Sequence, residues 1–417
     1  MAKARQILAE IKKYKDTKSG RILIFTGARQ VGKTTLVKDQ LQDYTYLSIE
    51  DPVMRSSYAA LTAAQWRALY PKAALDEVQK EPQLIESIKS AYDQFDDVSY
   101  LLLGSSQILL LSKVKESLAG RCVIFDMFPL VAPELRTDSW DSEITPSNWQ
   151  QVLKKEIEPT EMLPSLNVDP LMAQKTAAWD HLVRFGGYPA LSDDSMTDDM
   201  RHRWLEGYVR TYLERDVRDL AALRDLEPFT MLQRSLAART GQIFNASDVA
   251  RDIKVTSKTA LRYLQYLNLS YQTITLPAWS RNINKRLAKS PKIHFLDSGV
   301  IQAVLQKRGG ITGNEFESVV VAEIYKQAKN IFAACEFYHF RTQDGMEVDL
   351  LVETEKGYYA FEVKAAKNVV KNDAKHLLKV EAYLDKPMLH GFIVSNDPTT
   401  KKITEKVTAI SAALLLG

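Results

Sequence analysis

Gly27-Ala28-Arg29-Gln30-Val31-Gly32-Lys33-Thr34 follows the apolar run Ile22-Leu23-Ile24-Phe25 and leads into Thr35-Leu36-Val37-Lys38. The order reads strand, loop, helix. It fits the pattern G-x-x-x-x-G-K-[ST], in which glycines let backbone N–H groups close around phosphate oxygens, the lysine neutralises their charge and the hydroxyl ligates Mg²⁺. The loop also ends at a helix N-terminus, where unpaired N–H groups and the helix dipole favour an anion. Residues Gly27, Ala28, Arg29, Gln30, Val31, Gly32, Lys33, Thr34 and Thr35 are therefore the expected nucleotide-binding set.

Downstream, Tyr44-Thr45-Tyr46-Leu47-Ser48-Ile49 alternates and is rich in β-formers, which predicts a second strand ending at Glu50-Asp51-Pro52. A helical stretch, Ser56 to Tyr70, precedes Ala73-Ala74-Leu75-Asp76-Glu77, a short apolar strand delivering two carboxylates at its end. In a phosphate-loop ATPase the first acid holds the Mg²⁺ shell and the second orients or deprotonates water, so Asp76 joins Thr34 as a metal ligand and Glu77 is catalytic. The same pair also reads as the acidic start of the next helix, where carboxylates suit the dipole. The phosphate loop upstream tips the balance to the catalytic reading. Val98 to Leu103 predicts another buried strand, and its tip, Gly104-Ser105-Ser106, places Ser105 to sense the γ-phosphate. Strands alternating with helices imply a parallel sheet with ligands at the strand carboxyl ends, where all three sites fall.

A chain of 417 residues holds two to four domains. Hydrophobic residues at 45% and charged residues at 26% indicate soluble globular protein. The 55 basic and 52 acidic residues leave only +3, so any nucleic-acid site must come from a local cluster. Cys122 and Cys335 support neither a disulfide framework nor a zinc site, which suggests a reducing compartment. The lysine-rich N-terminus lacks a signal-peptide core, and Ile7, Leu8 and Ile11 form one face of a short helix. No apolar run approaches membrane-spanning length, so a cytoplasmic protein without membrane contact is expected.

The set Gly27 to Thr34, Leu75-Asp76-Glu77, Gly104-Ser105-Ser106 and Ser117-Leu118-Ala119-Gly120-Arg121 resembles a bacterial and archaeal family of AAA-type ATPases that carry a C-terminal domain of unknown function. The resemblance implies ATP and Mg²⁺ as cofactors. It makes Arg121, which matches an arginine in the family's L-A-G-R motif, a catalytic group touching nucleotide from its own or a neighbouring subunit. A homo-oligomer follows by analogy, because AAA relatives are often rings. Arg121 also reads as a surface arginine on a helix, since arginine roles are not written in spacing. Gly186-Gly187-Tyr188-Pro189 and Trp204 to Leu220, with Leu213-Glu214-Arg215-Asp216, resemble the same family; a turn between helices and a surface pair are expected there.

Residues 136–170 contain Pro146, Pro159, Pro164 and Pro170 with no clear period, and read as a linker or insertion. Beyond a helical region, Asn245 to Ile253 and Lys258 to Leu267 predict two short helices joined by a tight turn, with Ser247 and Ser257 at N-cap positions. This is a helix-turn-helix pattern in which Leu261, Leu264 and Leu267 face the core and Lys258, Thr259, Arg262 and Gln265 face a DNA groove. Two strand-like runs, Tyr271 to Leu276 and Lys292 to Leu296, flank Arg281, Lys285, Arg286 and Lys289, a basic wing. The same winged helix also serves as a spacer or protein-contact module.

In the last quarter, Gly313 opens a helix to Lys329, followed by strands Glu336 to Phe340, Met346 to Val352 and Tyr358 to Lys364. Strand alternation puts Glu362 and Lys364 on one face, which Asp349 can share across the turn Glu355-Lys356-Gly357. Asp349, then Glu362-x-Lys364, with a helical acid upstream, resembles the PD-(D/E)XK nuclease superfamily. That resemblance makes Glu317, Asp349 and Glu362 both catalytic and metal ligands, with Glu315 the fallback for Glu317. The metal polarises the phosphate and activates water, and Lys364 steadies the developing charge. Alternating charge on a strand also reads as a solvated face or cross-strand pair.

The expected fold is thus α/β: an AAA-type ATPase domain with a parallel sheet (1–135), a linker or insertion (136–170), a helical region (171–240), a winged helix-turn-helix (241–305) and an α/β nuclease-like domain (306–417). The expected function couples ATP binding and hydrolysis to a DNA-directed C-terminal half, either a Mg²⁺-dependent nuclease or a nucleotide-switched binding protein whose nuclease-like domain is silent. A nucleotide kinase is disfavoured, since it has no use for the downstream modules.

Overall fold

The phosphate loop hangs from β1 (Ile22–Gly27), whose six residues are all buried. With β2 (Thr45–Ser48), β3 (Lys72–Asp76), β4 (Ser99–Leu103) and β5 (Val123–Met127) it forms a sheet of order β2-β3-β4-β1-β5. Every pairing is parallel. Alternation divides β1 between two cores: Leu23 and Phe25 pack with Leu101 and Phe125 on one face, Ile22 and Ile24 with Trp66 and Leu102 on the other. The computed structural model describes residues 2–104, 117–162, 169–212, 226–282, 284, 286 and 289–417.

The helix Ile7–Tyr14 covers the first face with Ile7, Leu8 and Ile11. Where one helix was expected from Ser56 to Tyr70, there are two, Pro52–Ala59 and Ala63–Leu69. Thr62 is the reason: its side chain caps the second helix in a capping box with Gln65, and so ends the first. The proline-rich stretch after 136 holds the helix Asn148–Lys154, whose Trp149 is fully buried against Tyr359 and Phe361. An aromatic of this size buries roughly 150–250 Å², on the order of 4–6 kcal/mol of transfer free energy. That segment is docked, not a loose tether.

Helices Ala246–Asp252 and Ser257–Leu269 pack together and lead into an antiparallel sheet of order β6-β8-β7, formed by β6 (Gln242–Ile243), β7 (Thr273–Leu276) and β8 (Lys292–Phe295). The caps are Asn245 and Thr256, not Ser247 and Ser257. Leu264 and Leu267 are buried as expected, but Leu261 is 52% exposed; Tyr263 takes the core position instead.

The C-terminal sheet runs β13-β14-β12-β11-β10-β9, with β9 (Cys335–Arg341), β10 (Glu347–Thr354), β11 (Tyr358–Lys364), β12 (Met388–Ser395), β13 (Lys401–Thr404) and β14 (Val407–Ser411). It is mixed: β9, β10 and β11 pair antiparallel, while β11, β12 and β14 pair parallel. The helix Gly313–Asn330 lies against both β11 and β8, so it joins this sheet to the three-stranded one. Among the described residues no helix is long and apolar enough to cross a membrane.

Candidate nucleotide site and carboxylate cluster

β4 lies between β3 and β1, so the carboxyl ends of these three strands meet at one edge. Gly27 has φ +150°, and a Cβ there would lie 2.2 Å from the Met127 carbonyl oxygen, so only glycine lets β1 leave the sheet at this point. The loop then turns through Gln30 (φ 61°) and Gly32 (φ 93°) into the helix Lys33–Gln40. Ala28 and Val31 are buried, Arg29 is half-buried, and Gln30 and Thr35 are exposed. Lys33 is buried, and its ammonium donates to the Gly27 and Ala28 carbonyls at 2.9 and 2.7 Å. These are hydrogen bonds that arriving phosphate oxygens can replace.

Thr34 Oγ1 donates to Asp76 Oδ2 at 2.6 Å, and Tyr46 donates to the same oxygen at 2.7 Å. Burial first, then the Asp76 bond, pushes the Tyr46 phenol well above its ordinary value, so it remains a donor. A hydroxyl and a carboxylate this close suit Mg²⁺, which takes one or two protein oxygens and fills its shell with phosphate and water. Glu77 follows in a left-handed conformation (φ 58°), and its side chain accepts from Gln79. Strained backbone of this kind in a residue other than glycine clusters at functional sites. Ser105 lies outside the described residues.

Several residues that pattern reading passed over complete the site. Arg5, buried, donates to the Val31 carbonyl at 3.0 Å and pairs with the fully buried Glu134 at 3.4 Å, bracing the loop from behind. Beside the loop a cavity of about 410 Å³ is lined by Gly32, Thr35, Met127, Leu130, Trp140 and Pro189, among others. Pro189 comes from the Gly186-Gly187-Tyr188-Pro189 turn. Gly187 approaches so closely that a Cβ would meet the Leu130 carbonyl oxygen at 2.1 Å. Its amide donates to Asp297 at 2.8 Å, which ties the cavity wall to the middle of the chain.

Arg121 lies at the far end of the sheet. The β1–β5 register pairs Leu23 with Val123, so Arg121 sits level with the start of β1 while the phosphate loop leaves its end. Its guanidinium is bound to Asp93 at 2.8 Å on the surface. Contact with its own nucleotide, one of the two expected arrangements, is excluded in this conformation.

In the C-terminal sheet, Asp349 and Glu362 do meet. The β10–β11 register pairs Leu350 with Phe361, which sets Asp349 opposite Glu362, and Asp349 accepts from the Val363 amide at 2.8 Å. Lys364 Nζ lies 2.7 Å from Glu362 Oε1. Glu317 faces the group from the helix; Glu315 instead closes a capping box with Thr312 and pairs with Lys307 at 2.7 Å, so the fallback is not part of the cluster.

The cluster holds a member that pattern reading missed. Lys292 of β8 reaches Glu317 at 2.7 Å, Glu347 at 2.9 Å and Asp349 at 3.2 Å, with 2% of its side chain exposed. Burial opposes its charge, but Asp349, Glu317 and Glu347 outweigh it and hold the ammonium protonated. Burial first, then Asp349, pushes Glu317 up to about 8, and the same two causes push Glu362 up to about 7. Among the described residues no three His, Cys, Asp or Glu side chains are placed to hold a metal ion together. Of the expected metal set of Glu317, Asp349 and Glu362, two members, Glu317 and Asp349, have the Lys292 ammonium against them.

The expected basic wing is also differently employed. Arg281 donates to the Tyr383 and Leu384 carbonyls at 2.9 and 2.8 Å, and Arg286 pairs with Glu353 at 3.4 Å and stacks near Trp279 and Tyr338. Pro277 and Trp279 pair with His339 of β9, and Trp279 Nε1 donates to Tyr358 at 3.0 Å. Arg286 grips the C-terminal sheet, and Arg281, though exposed, is tied to the turn that ends at Leu384. Lys289 is exposed, and Lys285 lies outside the described residues. Lys258, Leu261, Arg262 and Gln265, spaced to share one helical face, are exposed, while Thr259 is half-buried beside its cap.

A parallel sheet with this loop, and with a hydroxyl–carboxylate pair and a second acid at the carboxyl ends of its strands, has the arrangement of a phosphate-loop nucleotide site. Residues 19–136 match the AAA domain family, 176–309 a domain of unknown function (DUF8612) and 312–415 another domain of unknown function (DUF4143). The chain is similar to uncharacterized proteins of Mycobacterium bovis and Mycobacterium tuberculosis, each 27% identical over 354 residues, covering 82% of this chain and 70% of theirs. Among solved structures, a Walker-type ATPase of Pyrococcus abyssi aligns with a TM-score of 0.42 at 15% identity, covering 72% of this chain and 94% of that one. The Bacillus subtilis DNA clamp loader delta protein aligns with a TM-score of 0.24 at 13% identity, over 78% and 98%.

Proposed function

We propose that this chain binds and hydrolyses ATP and that its nucleotide state controls a C-terminal half that contacts DNA without cutting it. The contact of Thr34 with Asp76, at the foot of the phosphate loop and next to Glu77, carries the ATPase reading. Lys33 binds the β- and γ-phosphates, Thr34 and Asp76 hold Mg²⁺, and Glu77 takes a proton from, or orients, the attacking water. Bound Mg²⁺ neutralises charge on the transferred phosphoryl group. The cavity lined by Met127, Trp140 and Pro189 takes the base. Arg121, remote from its own site, serves a neighbouring subunit's.

A direct path supports coupling. Tyr271, just before β7, shares a hydrogen bond with Thr26 at 2.6 Å and donates to Asp126, at the ends of β1 and β5. A shift of the phosphate loop is thereby felt at the root of the helix-turn-helix sheet, which we read as a winged helix. Its exposed face of Lys258, Arg262 and Gln265 is the proposed DNA surface. The C-terminal mixed sheet, with Asp349 beside Glu362 and Lys364, supports a nuclease-like fold, and the Lys292 contacts favour its silent form. The deciding experiment is ATP binding and turnover in two variants. Lys33→Ala loses binding, whereas Glu77→Gln binds ATP and stops hydrolysing it; normal turnover in Glu77→Gln removes the proposed mechanism.

A further inference from the structure

Three carboxylates from two elements converge on one ammonium brought by a third. Glu317 comes from the helix Gly313–Asn330, Glu347 and Asp349 from β10, and Lys292 from β8. Lys292 donates hydrogen bonds to Glu347 at 2.9 Å and Asp349 at 3.2 Å, and lies 2.7 Å from Glu317 as a close ion pair. Lys292 is held in place by its strand and its surroundings. It lies on the central strand of the three-stranded sheet, paired with Ile243 on one side and Leu276 on the other, and its side chain is almost wholly enclosed. Mg²⁺ requires oxygen ligands at about 2.0–2.1 Å in near-octahedral order. At these carboxylates it would lie within a few ångströms of a fixed positive charge, and the repulsion in so buried a place is large.

We propose that Lys292 is the resident cation of this cluster: the ammonium fills the place a divalent metal takes in a metal-dependent nuclease, and the cluster binds no metal while β8 is seated. This assignment rests on the nuclease-like reading of the C-terminal sheet and not on ATP hydrolysis, so it and the ATPase reading can fail separately.

The test is Mn²⁺ binding to the nucleotide-free full chain by calorimetry, comparing wild type, Asp349→Asn, Lys292→Met and the double variant. Wild type and Asp349→Asn are expected to bind Mn²⁺ alike. Lys292→Met is expected to gain one site, to show a melting temperature that rises with added Mn²⁺, and to lose both in the double variant. A tenfold or greater loss of Mn²⁺ affinity from wild type to Asp349→Asn overturns the proposal. So does a folded Lys292→Met protein that binds no more Mn²⁺ than wild type. Should Lys292→Met fail to fold, the wild-type and Asp349→Asn pair still decides.

Discussion

Thr34 Oγ1 and Asp76 Oδ2 lie 2.6 Å apart, joining the first turn of the phosphate-loop helix to the tip of β3 across the edge of the sheet. Replacing Thr34 by Ala removes one of the two proposed metal ligands and leaves the Lys33 contacts in place. Mg²⁺-ATP affinity should fall at least about tenfold, about 1.4 kcal/mol, while affinity for ATP measured in EDTA changes little. Calorimetric titration with and without Mg²⁺ reads the difference; an equal loss in both assigns Thr34 to the fold of the loop.

Arg121 should matter in trans. Arg121→Ala is expected to keep ATP affinity and lose turnover about a hundredfold or more, within the range of arginine fingers. Mixing it with Lys33→Ala protein, which has an empty site but an intact Arg121, should restore part of the activity. Additive, unrestored rates in the mixture would remove Arg121 from catalysis.

In the proposed site, base recognition should be separable from phosphate recognition. Trp140 forms part of the cavity wall, so Trp140→Ala should weaken ATP by about tenfold, consistent with the roughly 1–3 kcal/mol of a base–aromatic contact, and leave tripolyphosphate binding unchanged. Loss of both ligands would place the effect in the loop instead.

On the helix Ser257–Leu269, the double change Lys258→Ala/Arg262→Ala should weaken duplex DNA binding uniformly across sequences. The slope of log affinity against log salt should shrink by up to about 2, the effect of two phosphate contacts. An unchanged slope would mean that this face meets something other than DNA.

Glu317 gives a pH signature. Its carboxyl is pushed up from 4.5 to about 8, by burial and then by Asp349. Within that window the folded chain keeps a proton that the unfolded chain has released. The stability contributed by the neutral group is thus fully present at low pH and is lost as pH rises toward 8. Glu362, pushed up to about 7, acts in the same sense. Chemical denaturation of Glu317→Gln, whose amide cannot ionise, should show an advantage over wild type that grows between about pH 5 and 8. The slope should reach up to about 1.4 kcal/mol per pH unit, the value for one proton. A constant difference across that range would refute it.

What the sequence conveyed depended on whether a residue acts through its neighbours in the chain. The loop Gly27–Thr34 and the Asp76-Glu77 strand end are local, and the parallel sheet followed from alternating strands and helices. The pairing of Asp349 with Glu362 was legible because a tight turn fixes the register. Lys292 was not, because its partners lie in a helix and a strand far along the chain; the one sign was a lysine and a histidine two apart on a short, otherwise apolar strand. Arg281 and Arg286 misled for the same reason. Basic residues between two strands resemble a DNA-facing wing, and only tertiary structure supplies the carbonyls and the Glu353 carboxylate that engage them. Leu261 illustrates the limit of helical periodicity, since a single leucine at the border of a face falls either way.

The contact of Pro277 and Trp279 with His339, together with the reach of Lys292, means that the last quarter of the chain borrows part of its interior from residues before 306. A fragment beginning at 306 would uncover Phe340 and Tyr358 where Trp279 now rests, and would confront Glu317, Glu347 and Asp349 with one another and no ammonium between them. Such a piece is not a portable cassette. Grafting it onto another chain would have to bring along the strand that carries Lys292, so the domain boundary drawn at 306 is not a boundary of the interior.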